Sequence, residues 1–187
     1  MELLNYFMDR REVEAKLSGM GDYVKIEYLS SLLQSGLDYD TKRFVLVKLA
    51  KINNDRGMAA EAAKCMNAAA EVNPSNAGRV NDFIEAAGFY VKAGRYEEAD
   101  ITFNKAVIAS SESDGVKIKD KKKQCYMIQA DSYLARDKRA QAVKTYERIL
   151  RMELSNTEKK FVQGNLLLLY EKLGRVRDYY VLKNSMH

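Results

Sequence analysis

The segment from residue 83 to residue 111 has the apolar spacing of two short helices joined by a tight turn. The first apolar face has the i, i+3, i+4, i+7 spacing of one side of a helix, and it consists of Phe83, Ala86, Ala87 and Tyr90. The second face consists of Ala99, Phe103 and Ala106. Gly94 lies between the two faces and accepts the positive φ with which a helix ends and the chain turns back. The pattern therefore predicts an αα-hairpin.

The same register recurs on both sides of this hairpin. Downstream, Tyr126, Ala130, Ala142 and Tyr146 occupy the corresponding positions, and Asp137 replaces the turn glycine. Upstream, a further copy ends at the only proline of the chain, and weaker copies occupy both ends. The predicted repeats cover residues 2–37, 38–74, 76–111, 117–154 and 155–185, with a loop at 110–116.

The spacing from Tyr90 to Ala99, Phe103 and Ala106 resembles that of the tetratricopeptide repeat. The resemblance covers residues 2–185 and is clearest in the three middle copies. It implies an all-α fold, a right-handed α-α superhelix of about five helical hairpins and ten helices, forming a single solenoid domain over residues 1–187. Related arrays with longer repeats stay open, such as the attachment proteins of vesicle fusion and the half-a-tetratricopeptide RNA-processing proteins.

Proteins of the tetratricopeptide family bind other proteins, and the first helices of their repeats line a concave groove. The resemblance therefore implies a non-catalytic protein-binding adaptor or scaffold that takes a partner peptide or amphipathic helix in this groove. The family's geometry places the following residues there: Phe44, Val47, Lys51, Asn81, Ile84, Gly88, Gln124, Met127, Asp131, Phe161 and Leu168. The same geometry adds Met8, Arg11 and Gly164.

The sequence leaves open whether the apolar part of this groove is exposed. Its large apolar residues are Phe44, Val47, Ile84, Met127 and Phe161. They form either an open surface for a partner or a packed surface against neighbouring repeats. A third interpretation is that the C-terminal segment 176–187 fills the groove, because Tyr179, Tyr180 and Leu182 exceed what one last helix needs.

Composition disfavours catalysis and cofactor binding. The chain has 187 residues, of which 47% are hydrophobic, and His187 is its only histidine. Cys65 and Cys125 form no CxxC pair, and no phosphate-binding or zinc-binding spacing occurs, so we expect no enzyme, no metal and no cofactor. No apolar run of about eighteen residues and no secretory signal occurs, so we expect no membrane span and a cytoplasmic location.

Charge provides one alternative function. The 31 basic and 26 acidic residues give a net charge of +5, and five lysines cluster between residues 117 and 123. A helical-repeat RNA-binding protein would use this Lys117 to Lys123 segment, together with Lys159 and Lys160. Nucleic acid is disfavoured as a partner because the excess charge is small and most patterned tyrosines fall on packing positions. Homodimerisation through the end hairpins stays open.

Overall fold

The computed structural model describes residues 8–186, apart from the side chains of residues 112 and 113. These residues form ten α-helices and contain no strand, so the predicted all-α class is confirmed. In chain order the helices are α1 (Arg10–Leu17), α2 (Asp22–Leu32), α3 (Tyr39–Asp55), α4 (Ala59–Val72), α5 (Asn76–Lys92), α6 (Tyr96–Ala109), α7 (Glu112–Ala135), α8 (Arg139–Ile149), α9 (Asn156–Lys172) and α10 (Val176–Asn184). The predicted start of the first repeat at residue 2 and the terminal His187 lie outside the described residues.

Side-chain caps begin the first helix of four helix pairs. Asp9, Asp38, Ser75 and Ser155 each accept a hydrogen bond from a backbone N–H in the first turn of α1, α3, α5 and α9. The second helices α2, α4, α6, α8 and α10 begin without such a bond. A cap satisfies a backbone donor that a helix leaves unpaired at its N-terminus. Side-chain N-caps therefore distinguish the first helices of these four pairs from the second helices.

A left-handed residue lies in the turn between the two helices of every pair. The four glycines at these turns are Gly19, Gly57, Gly94 and Gly174, with φ between 67° and 78°. Asp137 takes the same conformation between α7 and α8, with φ 52°. The same turn hydrogen bond recurs in the last four pairs, from Met58, Arg95, Lys138 and Arg175 to the carbonyls of Asn53, Tyr90, Tyr133 and Tyr170. The substitution of Asp137 for the turn glycine therefore leaves the turn geometry intact.

Contacts between Cα atoms divide the chain into two compact units, with the boundary in α7 between Ile118 and Lys119. In the first unit, α3 packs against α4, α4 against α5, and α5 against α6. In the second unit, α9 packs against α8 and α10. Sequential helices thus pack against their neighbours within each unit.

Alternate helices of the first unit run side by side in the same direction. The Arg10 guanidinium lies 4.7 Å from the centre of the Phe44 ring, and Lys48 Nζ lies 2.8 Å from a Glu14 carboxylate oxygen. The two contacts come in the same order along both helices, so α1 runs parallel to α3. Two further contacts join the two ends of α3 to α5. They are Arg43 to Asp82 at 2.8 Å and Lys92 to Asn54 at 2.7 Å.

The second unit repeats this arrangement with α7 and α9. Lys119 donates to Glu153, just before α9, at 3.0 Å, and Lys123 donates to Glu158, in its first turn, at 3.1 Å. Two ion pairs in the same order along both segments require α7 and α9 to run in the same direction.

The second helices α4, α6 and α8 each have a fully buried small residue. Ala62, Ala99 and Ala142 are fully buried, as are the large side chains of Phe103 and Tyr146. A helix crossing lined by alanine brings two backbones close together, and aromatic side chains fill the space beside it. The last pair departs from this pattern because α10 buries no residue.

The predicted loop at 110–116 is shorter in the structure, where α7 already begins at Glu112. Ser111 donates to the Asp114 carboxylate at 2.8 Å, and Asp114 accepts from Lys117 one turn later at 2.8 Å. These contacts stabilise the first turns of a helix despite Gly115. The prediction from the serine and glycine content of this segment therefore made the loop too long.

Candidate protein-binding face

The structure corrects the prediction for Phe44, which lies in the core. Its side chain is 8% exposed and belongs to a hydrophobic cluster with Val13, Leu29 and Leu49. Arg10 and Lys48 lie over its ring at 4.7 and 5.1 Å from the centroid. Because α1 lies beside α3 here, the position that the family's geometry assigns to the groove is covered.

The other predicted groove residues of the first unit provide little exposed apolar surface. Val47, Ile84 and Gly88 are half-buried, whereas Lys51 and Asn81 are exposed. This part of the predicted groove is therefore predominantly polar at its surface.

A polar network lies beside these residues. Asp82 is buried and accepts hydrogen bonds from Arg43 and from the Asn73 amide, each at 2.8 Å. Desolvation, and then the neighbouring charge of Asp82, raises the pKa of Glu85. The network joins α3, α5 and the end of α4, and its polar side chains are hydrogen-bonded to one another.

The second unit presents an apolar stripe on α9. Phe161 and Leu168 are 53% and 57% exposed, and they lie seven residues apart, on the same side of the helix. Gly164 lies between them, and a methyl group added to it would meet no atom within 4 Å. Thr157 and Lys172 extend the stripe by one turn at either end, and both are exposed. These five residues, Thr157, Phe161, Gly164, Leu168 and Lys172, form what we call the α9 face.

The second unit also contains the predicted groove residues of α7. Met127 is half-buried, and Gln124 and Asp131 are exposed. The Asp131 carboxylate accepts a hydrogen bond from the Tyr146 hydroxyl at 2.9 Å, which fixes its position against α8. Burial, together with this carboxylate, raises the pKa of Tyr146. Asp131 therefore has a structural partner as well as an exposed side.

The C-terminal helix leaves the α9 face open within the second unit. It packs against α9, yet none of its residues is buried, and Tyr180 is exposed. Phe161 and Leu168 keep more than half of their surface accessible beside it. Within residues 119–186, the interpretation in which the tail covers the groove is therefore wrong for these two side chains.

Several lysines of the Lys117 to Lys123 segment already have carboxylate partners. Lys119 and Lys123 bind Glu153 and Glu158 across to the neighbouring segment, and Lys117 binds Asp114 within its own helix. Lys121, Lys159 and Lys160 are exposed and form no ion pair with a described residue. The segment proposed for RNA is therefore partly neutralised by acidic side chains.

The two cysteines are half-buried thiols within helices. Burial raises the pKa of Cys65, with a further contribution from Glu61, and burial also raises the pKa of Cys125. A raised pKa lowers the thiolate fraction at neutral pH, and the thiolate is the reactive form. A neighbouring lysine, Lys64 for Cys65 and Lys121 for Cys125, lowers the pKa of each thiol, but by less than burial raises it.

Sequence reasoning did not single out Thr157 and Lys172 on this face. A helical wheel drawn over residues 156–172 would have aligned both of them with Phe161 and Leu168. The groove positions of the family include only some of the residues that are exposed on one side of a helix, so they omit these two.

The described residues and the comparisons with known proteins bear on the class of protein. No group of three or more histidine, cysteine, aspartate or glutamate side chains in residues 8–186 is arranged to hold a metal ion. None of the helices described combines the length and the apolar character of a membrane span. No protein-family model and no curated protein matches the chain. The class that the structure itself defines is an all-α protein whose successive helices pack against one another.

Proposed function

We propose that this protein is a non-catalytic adaptor that binds a segment of another protein, with the α9 face as its principal contact. The observation that carries this proposal is the pair of exposed apolar side chains, Phe161 and Leu168, on one side of a helix. Burying the exposed half of each would contribute about 1 kcal/mol. A partner that covers both therefore gains affinity without unfolding the protein.

We also propose that the chain forms a tetratricopeptide-like right-handed superhelix in the cytoplasm. The recurring left-handed turn, the caps on alternate helices and the parallel course of those helices support a repeat architecture. Three ion pairs join residues 34 positions apart in sequence, which is the length of a regular repeat in that family. A stacked array of this kind presents the same side of successive first helices.

RNA binding has weaker support as an alternative. Phosphate contacts need lysines whose charge is available, and the carboxylates beside Lys117, Lys119 and Lys123 compete for them. Lys121, Lys159 and Lys160 are the remaining candidates for such contacts.

The experiment compares affinity capture from native lysate by wild type, Phe161→Asp, Leu168→Asp and a control, Ile108→Asp. Ile108 is 84% exposed on α6 and lies outside the α9 face. We expect both α9 variants to lose a set of proteins that wild type and Ile108→Asp retain, measured by quantitative mass spectrometry. Circular dichroism and thermal unfolding should be unchanged, because the substituted side chains are exposed. Retention of every captured protein by all variants would contradict the proposal.

A further inference from the structure

The α9 face has a basic rim. Lys160 lies beside Phe161 in sequence, and Lys172 lies one turn beyond Leu168. Both are exposed, and neither forms an ion pair with a described residue. The α9 helix contains two acidic residues, and the carboxylate of one of them, Glu158, already accepts hydrogen bonds from Lys123 and from the backbone N–H of Ser155. Glu171 is exposed on the same side of the helix as Lys160, so two unpaired lysines and one carboxylate border the face.

The dimensions of the face match a helix of moderate length. Phe161 and Leu168 are separated by about 10 Å along the helix axis, and Lys160 and Lys172 by about 18 Å. A partner helix of roughly twelve residues or more spans the distance between the two lysines. The open space at Gly164 allows this helix to approach between the two apolar side chains.

The backbone of α9 favours a helical partner over an extended one. An extended peptide that binds by strand addition needs unpaired backbone groups on its receptor. The backbone groups within α9 are hydrogen-bonded inside the helix, so this surface provides apolar side chains and charge instead. A helix satisfies its own backbone and presents side chains at matching i, i+3, i+4 and i+7 positions.

We propose that the partner segment on the α9 face is an acidic amphipathic helix of another protein. Its apolar side chains, one heptad apart, pack against Phe161 and Leu168, and its aspartate or glutamate side chains lie next to Lys160 and Lys172. This inference rests on the proposed function and specifies the chemistry of the partner.

The test is a selection from a displayed library of 18-residue amphipathic helices. Every library member carries two leucines seven residues apart, and its flanking positions are drawn from Glu, Lys, Gln and Ser. The full chain serves as bait, with Leu168→Asp and Ile108→Asp as parallel baits. We expect wild type and Ile108→Asp to enrich Glu at the flanking positions, and Leu168→Asp to lose this enrichment.

A second variant tests the charge directly. Lys160→Glu combined with Lys172→Glu should weaken the binding of a selected acidic peptide about tenfold, measured by fluorescence polarisation at low salt, because both contacts become repulsive. Lys144→Glu is the matched control, since Lys144 is exposed on α8. An equal effect of both variants would overturn the assignment of the rim.

Each other outcome of the selection has a distinct meaning. Enrichment of Lys or of neutral residues that still depends on Leu168 would overturn the acidic partner and leave the binding face intact. Equal enrichment on wild type and Leu168→Asp, or no enrichment at all, would overturn both the partner and the face. Tighter, salt-dependent binding of a single-stranded RNA oligonucleotide that is lost in the double lysine variant would replace the acidic helix by a polyphosphate ligand.

Discussion

Asp82 shows how a single side chain connects consecutive helices. Asp82 belongs to α5, and its side chain is 4% exposed. Its carboxylate binds Arg43 on α3 and Asn73 at the end of α4. Arg43 remains one-third exposed, so the pair is only partly withdrawn from water. A buried carboxylate that is fully hydrogen-bonded stabilises the fold, and it becomes costly once a partner is lost.

Replacing Asp82 with Asn should lower the free energy of unfolding by about 2 kcal/mol, because an amide presents one acceptor instead of two to Arg43 and Asn73. Urea denaturation followed by circular dichroism measures this change. The control is Glu61→Gln, which removes an exposed pair with Lys64 one turn away and should alter stability little. Equal losses in the two variants would show that the burial of Asp82 contributes nothing.

The cysteines provide a pH-dependent prediction. Because burial raises the pKa of Cys65 and Cys125, iodoacetamide should alkylate them at pH 8 more slowly in the folded chain than in the urea-unfolded chain. The folded rate should increase as the pH rises past the usual thiol range, since the raised pKa delays thiolate formation. Mass spectrometry of timed samples measures both rates, and equal rates at pH 8 would contradict the assignment.

At the scale of the element, the helix pair is defined by its turn. A left-handed residue follows the first helix of each pair, and in the last four pairs the recurring turn hydrogen bond directs the chain into the second helix. Glycine adopts this conformation without a steric penalty, whereas a residue with a Cβ does not. Asp137 is the one non-glycine residue with positive φ among residues 8–186, and its carboxylate binds Arg139 at 2.8 Å.

Opposite effects are expected for two turn substitutions. Asp137→Gly should raise the free energy of unfolding by roughly 0.5 kcal/mol, because it removes the left-handed strain but adds freedom to the unfolded chain. Gly57→Ala should lower it by about 1 kcal/mol, and since an added methyl at Gly57 meets no atom within 4 Å, the loss would come from the backbone alone. Chemical denaturation measures both. Destabilisation by Asp137→Gly would show that the contact with Arg139 outweighs the strain.

At the scale of the whole molecule, stability is expected to differ along the chain. The helices α4 and α5 pack against each other and against α3 and α6, and both contain several fully buried residues. The helix α10 packs against α9 and buries none of its residues. In an array whose members contact mainly their neighbours, a terminal helix with little buried surface opens at low cost.

Hydrogen exchange followed by mass spectrometry tests this difference. Amides of α10 should exchange fastest among the helices of the second unit, and amides of α4 and α5 should be among the slowest in the chain. The Ile108→Asp variant serves as a control, because an exposed substitution on α6 should leave the exchange of α10 unchanged. Uniform protection of all ten helices would instead indicate one cooperative unit.

The sequence by itself determined the helical class, the pairing of helices and the positions of the turns. The spacing of apolar residues and the positions of glycines contain this information. Gly94, and even Asp137 in place of a glycine, could therefore be assigned to turns from the sequence alone. The length of the loop before α7 could not, because side-chain contacts of Ser111 and Asp114 extend the helix.

Only the tertiary structure decided which predicted groove residues are exposed. Phe44 and Phe161 have the same apolar character and come from equivalent predicted positions, yet α1 and the cations of Arg10 and Lys48 cover the first, whereas the second stays open beside α10. Periodicity specifies the side of a helix on which a residue lies. Whether another element covers that side depends on packing between segments that are distant in sequence. The local spacing of residues does not predict such packing.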